Sequence, residues 1–158
     1  MTSEGVSKRI LARHTYVHVY MLRNLPRKGF EELVHQLEPP KGIDVEELWV
    51  LTGGNPRVLI EVAQLDWDVS RWLRYVAEQR VSPAIHGLES SRVLKLVDDP
   101  DSDPELARVL EERGLMIELN RVLTVRPPPS EDLEIGVGKR WAWQVPAYRK
   151  ALKSLLAS

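Results

Sequence analysis

Apolar positions recur along much of this chain with the period of a helix. Phe30, Leu33, Val34 and Leu37 stand at i, i+3, i+4 and i+7, and so do Val45, Leu48, Trp49 and Thr52. Val58, Leu59 and Val62 begin another such face, and Val69, Trp72, Leu73 and Val76 give a further stripe with Asp66 placed as its cap. Pro39-Pro40-Lys41-Gly42 ends the first of these segments. The pattern predicts a bundle of four short helices over residues 26–81, with Trp49, Trp67 and Trp72 as packing centres. Ahead of it, residues 1–25 read as a short basic helix over Gly5–Arg13 and an alternating strand over Thr15–Met21.

Val81-Ser82-Pro83 is the expected boundary of the bundle, because proline disfavours helix in the residue before it. Residues 82–158 then read as a second unit. A helix is expected from about Ala84 to Val97, an acidic turn over Asp98–Asp103, and a helix from Asp103-Pro104 to Arg113, stopped by Gly114. Leu115–Leu119 and Val122–Val125 alternate about Asn120-Arg121 and predict a hairpin. Pro127-Pro128-Pro129 is a stiff spacer, Lys139–Trp143 a further strand, and Val145, Tyr148, Leu152, Leu155 and Leu156 mark a closing helix. The fold class is therefore mainly α with a small β component (α+β), a helical bundle followed by a winged-helix-like module.

Between two of the bundle helices lies Leu51-Thr52-Gly53-Gly54-Asn55-Pro56-Arg57. Glycine adopts the left-handed conformation that ends a helix at little cost, asparagine is a good N-cap, and proline suits the first helical position. The predicted corner starts its second helix with backbone N–H groups and Arg57 beside them, an arrangement that favours phosphate or carboxylate. A well-made helix corner with no ligand explains the same residues.

Glu47-Leu48-Trp49-Val50-Leu51-Thr52-Gly53-Gly54-Asn55-Pro56-Arg57-Val58-Leu59 resembles the helical lid segment of the archaeal ATPase family, P-loop NTPases related to the AAA+ and STAND groups. Thr2–Ser7 looks like the turn after that family's sensor strand. Arg23-Asn24-Leu25-Pro26 with Gly29-Phe30 looks like the entry to the lid, and Gly136–Pro146 is similar to the closing segment. The resemblance implies the lid and winged-helix half of such an ATPase. It places Gly53, Gly54, Asn55, Pro56 and Arg57 near the nucleotide base, and makes Arg9 and Arg13 a possible arginine finger or sensor at a subunit boundary. ATP or ADP would be bound only if a P-loop domain, or a like subunit, completed the site.

Composition adds limits. The 43% apolar and 28% charged content is that of a globular chain, and the net charge of −1 gives no bulk attraction to nucleic acid or membrane. There is no cysteine, so disulfides, thiol catalysis and Cys-based zinc sites are excluded together. No signal peptide or membrane-length apolar run is legible, and the cytoplasm is the expected location. Charge is unevenly spread: Lys8, Arg9, Arg13, Arg23, Arg27 and Lys28 face only Glu4 within residues 1–30, an acidic middle follows, and Lys139, Arg140, Arg149, Lys150 and Lys153 form a basic tail.

No G-x-x-x-x-G-K-[ST] loop occurs in the sequence. Gly136-Val137-Gly138-Lys139-Arg140 is too short and lacks the magnesium-binding hydroxyl. Leu94–Asp99 imitates a Walker B run but sits on a helical pattern. The expectation is a non-catalytic chain. His14, His18, His35 and His86 lack the ligand company of a metal site. The alternative is a stand-alone winged-helix module for double-stranded DNA or protein, with Arg108, Arg121, Arg126, Lys139 and Arg140 as possible backbone contacts. Glu105, Glu111 and Glu112 on the presumed recognition helix weigh against the DNA form. Docking on another subunit through exposed Trp141 and Trp143 is a third expectation.

Overall fold

The computed structural model describes residues 24–119 and 129–157, together with the backbone of 20–21 and 123–124. Strand β1 (Tyr20–Met21) leads to helices α1 (Arg27–Gln36), α2 (Val45–Thr52) and α3 (Pro56–Gln64), close to their predicted bounds. Helix α4 (Val69–Val76) is capped by the Asp68 carboxylate, which accepts the Arg71 N–H at 2.9 Å. Asp66, the expected cap, instead lies with Trp67 in the left-handed region, at φ 57° and 61°. The chain needs that reversed turn before the new helix can start, so the cap falls two residues later.

Helix α4 does not stop at the expected boundary. It widens into a π-helical turn (Ala77–Val81) and continues as α5 (Ser82–Ile85). The Ser82 N–H reaches back to the Ala77 carbonyl, five residues earlier, and Ser82 keeps helical angles (φ −56°, ψ −48°) despite preceding Pro83. A π turn shifts the hydrogen-bond register, which lets the helix pass a residue that has no N–H to give. The break comes at Gly87, at φ 76°, so the single helix expected over Ala84–Val97 is two, α5 and α6 (Ser90–Asp98).

Helix α7 (Pro104–Glu112) follows, its Asp103 cap accepting the Leu106 N–H at 3.0 Å. The predicted hairpin is not formed among the described residues. Strand β2 (Met116–Glu118) pairs antiparallel with β4 (Trp141–Trp143), while β3 (Leu123–Thr124) pairs in parallel with β1. Asn120-Arg121 lacks the glycine that a tight hairpin turn favours, and Trp141–Trp143 brings β2 a wholly buried partner strand. Isolated bridges, Val137 with Ala142 and Asp132 with Val137, extend this sheet as a narrow meander.

Helix α8 (Pro146–Leu156) returns across the molecule to pack on α2, α4, the π turn and α6. Among the described residues a main apolar core results, with a small second cluster of Leu119 and Ala142 in the sheet. It joins Phe30, Leu48, Leu59 and Trp72 to Leu96, Leu110, Met116, Trp141 and Leu152, all at most 1% exposed. Residues on both sides of Val81-Ser82-Pro83 thus share a core, because α8 supplies apolar surface that the short bundle helices lack. Large-to-alanine changes at such sites cost about 3–5 kcal/mol for an aromatic. Trp49 and Trp67 are half-buried around its rim.

Candidate functional site

The Gly53–Arg57 corner is formed as the spacing requires. Asp44 caps the start of α2 by accepting the Glu46 and Glu47 N–H groups, and Gly53 ends it in the left-handed conformation (φ 62°, ψ 24°). Gly54, at φ 78°, is in the tightest place: a Cβ there would lie 2.5 Å from the Leu25 carbonyl oxygen and 2.8 Å from the Trp49 ring. The Leu25 N–H in turn donates to the Gly54 carbonyl at 2.9 Å. The chain arriving from residues 20–21 is therefore fastened to the corner. Behind it, Trp49 meets Phe30 edge-on at 5.3 Å, and the Arg27 guanidinium lies over the Trp49 ring.

Most of the corner's N–H groups are used within it. Gly54 donates to Thr52 Oγ1 (3.3 Å), Asn55 to the Thr52 carbonyl (3.2 Å), and Val58 to Asn55 Oδ1 (3.2 Å). Leu59 donates to the Asn55 carbonyl at 3.1 Å. The sequence predicts free donors at this helix start; the asparagine that makes it a good start takes up the Val58 N–H through its side chain. Arg57 is what the corner offers to solvent. Its side chain is 73% exposed and lies 3.7 Å from Glu61 Oε1, an oxygen that Arg80 of the π turn also holds. Burial opposes the Arg80 charge, but bonds to Glu61 and Tyr148 more than offset it, so its pKa lies above the usual arginine value. Burial raises the pKa of Tyr148, which sits on α8. Glu61 and Arg80 thus tie α3 to the π turn beside Arg57, with Tyr148 of α8 close by, a connection that no spacing rule announces.

Arg9, Arg13, Arg121 and Arg126 lie outside the described residues, as do His14, His18 and the expected helix over Gly5–Arg13. Arg108 is exposed on α7 beside Glu105 and Glu112. Arg140 donates through Nε to Oε1 of buried Glu118 at 2.8 Å, with Nη2 2.8 Å from the same oxygen, and Lys139 lies 4.0 Å from Glu131. Arg113, also on the presumed recognition helix, is spent on the Ala84 and His86 carbonyls. These engagements tie Arg113 and Arg140 into the fold, while Arg108 stays exposed. Trp141 and Trp143, expected to be exposed for docking, are 0% and 4% exposed. Their alternation with Ala142 suits a strand that is buried on both faces.

The Gly136–Arg140 loop does cradle an anion, but one of the chain's own. The Asp101 carboxylate accepts the N–H groups of Lys139 (2.6 Å), Arg140 (3.1 Å) and Trp141 (2.8 Å). The sequence predicts a plain acidic turn over Asp98–Asp103, and nothing local to it points across to the loop. Leu94–Asp98 is helical in α6, with Asp99 following it, which places the Walker-B-like run on a helix. No group of three or more His, Cys, Asp or Glu that could hold a metal exists among the described residues. No helix among them is long and apolar enough to cross a membrane.

Residues 1–62 match the family model of an ATPase domain found predominantly in Archaea. The match takes in the whole corner and ends within α3. Comparisons with curated proteins and with solved structures gave no match. The archaeal-ATPase likeness thus rests on the first 62 of 158 residues.

Proposed function

We propose that this chain is the non-catalytic lid and C-terminal portion of an archaeal-type ATPase, following the nucleotide state of a P-loop domain that it does not itself contain. The observation that carries the reading is the Leu25–Gly54 hydrogen bond within the matched region. It makes the corner one rigid piece with the chain entering the lid, so that movement of the preceding strand carries Arg57 with it. The corner supplies one exposed guanidinium and a stiff turn but no phosphate cradle, which fits contact with a nucleotide held elsewhere. ATP would supply the binding and hydrolysis energy. The chain's own part is to present Arg57 and the Gly54-Asn55-Pro56 turn. A phosphate charge near Arg57 would compete with Glu61 for it, and Glu61 also holds Arg80 of the π turn. The lid, its AAA+/STAND character and the winged-helix nature of the C-terminal part belong to this proposal.

The test is a phosphate-release assay on the purified chain, alone and with the P-loop segment encoded upstream of the Met1 codon. Alone, no turnover is expected. With that segment, turnover should appear, and Arg57→Ala should weaken nucleotide binding several-fold, about 1 kcal/mol for an exposed charge contact, without lowering stability. Turnover by the chain alone, or no P-loop reading frame upstream, overturns the proposal.

A further inference from the structure

The residues between the proline spacer and β4 carry an exposed tip. Asp132 and Val137 exchange N–H···O bonds of 2.8 Å in each direction, closing a small loop over Leu133–Gly136. The loop is braced: Glu134 donates its N–H to Asp132 Oδ1 at 3.1 Å, Gly136 donates to the Leu133 carbonyl at 3.3 Å, and the Arg149 guanidinium donates to the Glu134 carbonyl. Residues 130–135 are all exposed, yet two of them are large aliphatics, Leu133 (40%) and Ile135 (44%). Aliphatic side chains held in solvent on a stiff loop lose little entropy when a partner covers them. Glu131, Asp132 and Glu134 surround them with acidic charge, which repels nucleic acid and anionic lipid and favours a basic protein surface.

The chain contains a segment of that chemistry. Residues 1–23 carry Lys8, Arg9, Arg13 and Arg23 against Glu4 alone, together with Val6, Ile10 and Leu11. The tip and this segment are matched in sign and in apolar content. We infer that the acidic, aliphatic tip at 131–135 docks on the basic N-terminal segment of a second copy of this chain. Among the described residues, none covers the tip fully, and Leu133 and Ile135 stay 40% and 44% exposed. Two different patches meet, so the contact is either reciprocated in a two-fold dimer or repeated head to tail. It needs no nucleotide.

Sedimentation equilibrium on the whole chain without nucleotide tests it, from about 1 µM to 1 mM, the range in which small charged interfaces bind. Self-association is expected, weakened about tenfold or more by Leu133→Ser/Ile135→Ser, by Glu131→Lys/Glu134→Lys, and by raising salt. A labelled peptide of residues 1–23 should bind the chain in fluorescence anisotropy and reverse the association, and a scrambled peptide of the same composition should do neither. The peptide arm uses the unmodified protein and so does not depend on the variants folding. A chain that stays monomeric, an association indifferent to both pairs of changes, or equal binding of the scrambled peptide would each overturn the inference.

Discussion

Replacing Asp101 with alanine removes the acceptor of three consecutive N–H groups, those of Lys139, Arg140 and Trp141. The loop that carries them approaches so closely that a Cβ on Gly138 would lie 2.5 Å from Asp101 Oδ2. It also leads straight into β4, whose Trp141 and Trp143 are in the core. A hydrogen bond to a charged group contributes about 1.5–3 kcal/mol when desolvated. Asp101 is half-buried, so water can replace part of each bond, and we expect a loss of about 2–3 kcal/mol rather than the full sum of three. Asp101→Asn keeps one acceptor oxygen and turns an amide donor toward the remaining N–H, and should cost roughly half as much. Urea unfolding followed by tryptophan emission measures it. The midpoint should fall at unchanged m, with a thermal midpoint lower by roughly 5–10 °C for a chain of this size. A loss below about 0.5 kcal/mol for Asp101→Ala would refute the argument, because it would mean that the carboxylate merely sits beside amides already served by water.

Gly54→Ala should destabilise by more than about 2 kcal/mol, since the new methyl group meets backbone at Leu25 as well as the Trp49 ring in a left-handed conformation; a thermal midpoint equal to wild type would count against the corner as described. Hydrogen bonds from Arg92 hold the Asp103 carboxyl below its usual pKa. A depressed folded-state value means that the stabilisation is complete above the unfolded pKa and is lost as pH falls through the folded one, so the loss should appear below about pH 4. Arg92→Ala should flatten that part of the stability–pH curve, and an unchanged acid limb in pH-dependent urea titrations would refute the pairing.

Much of this molecule is set by neighbours in sequence, and that part was legible. Helices α1, α2 and α3 follow apolar spacing and cap chemistry, and Gly53-Gly54-Asn55-Pro56 forms its corner because each residue favours the local conformation it takes. The strand partners, the run of helix through Pro83, and the burial of Trp141 and Trp143 depend on surfaces supplied from far along the chain. Spacing showed that Lys139–Trp143 was a strand, but only packing decided that it would pair with β2 in place of Val122–Val125. It showed a closing helix, but not that α8 would complete the core of the bundle. The candidate site divides the same way. Arg57 and its turn are written in one short stretch, whereas Glu61, Arg80 and Tyr148 behind it, and Asp101 in the glycine-rich loop, meet only in three dimensions. Local propensity acts over a few residues, whereas a hydrogen-bond acceptor or an apolar face is satisfied by whatever the whole fold brings to it.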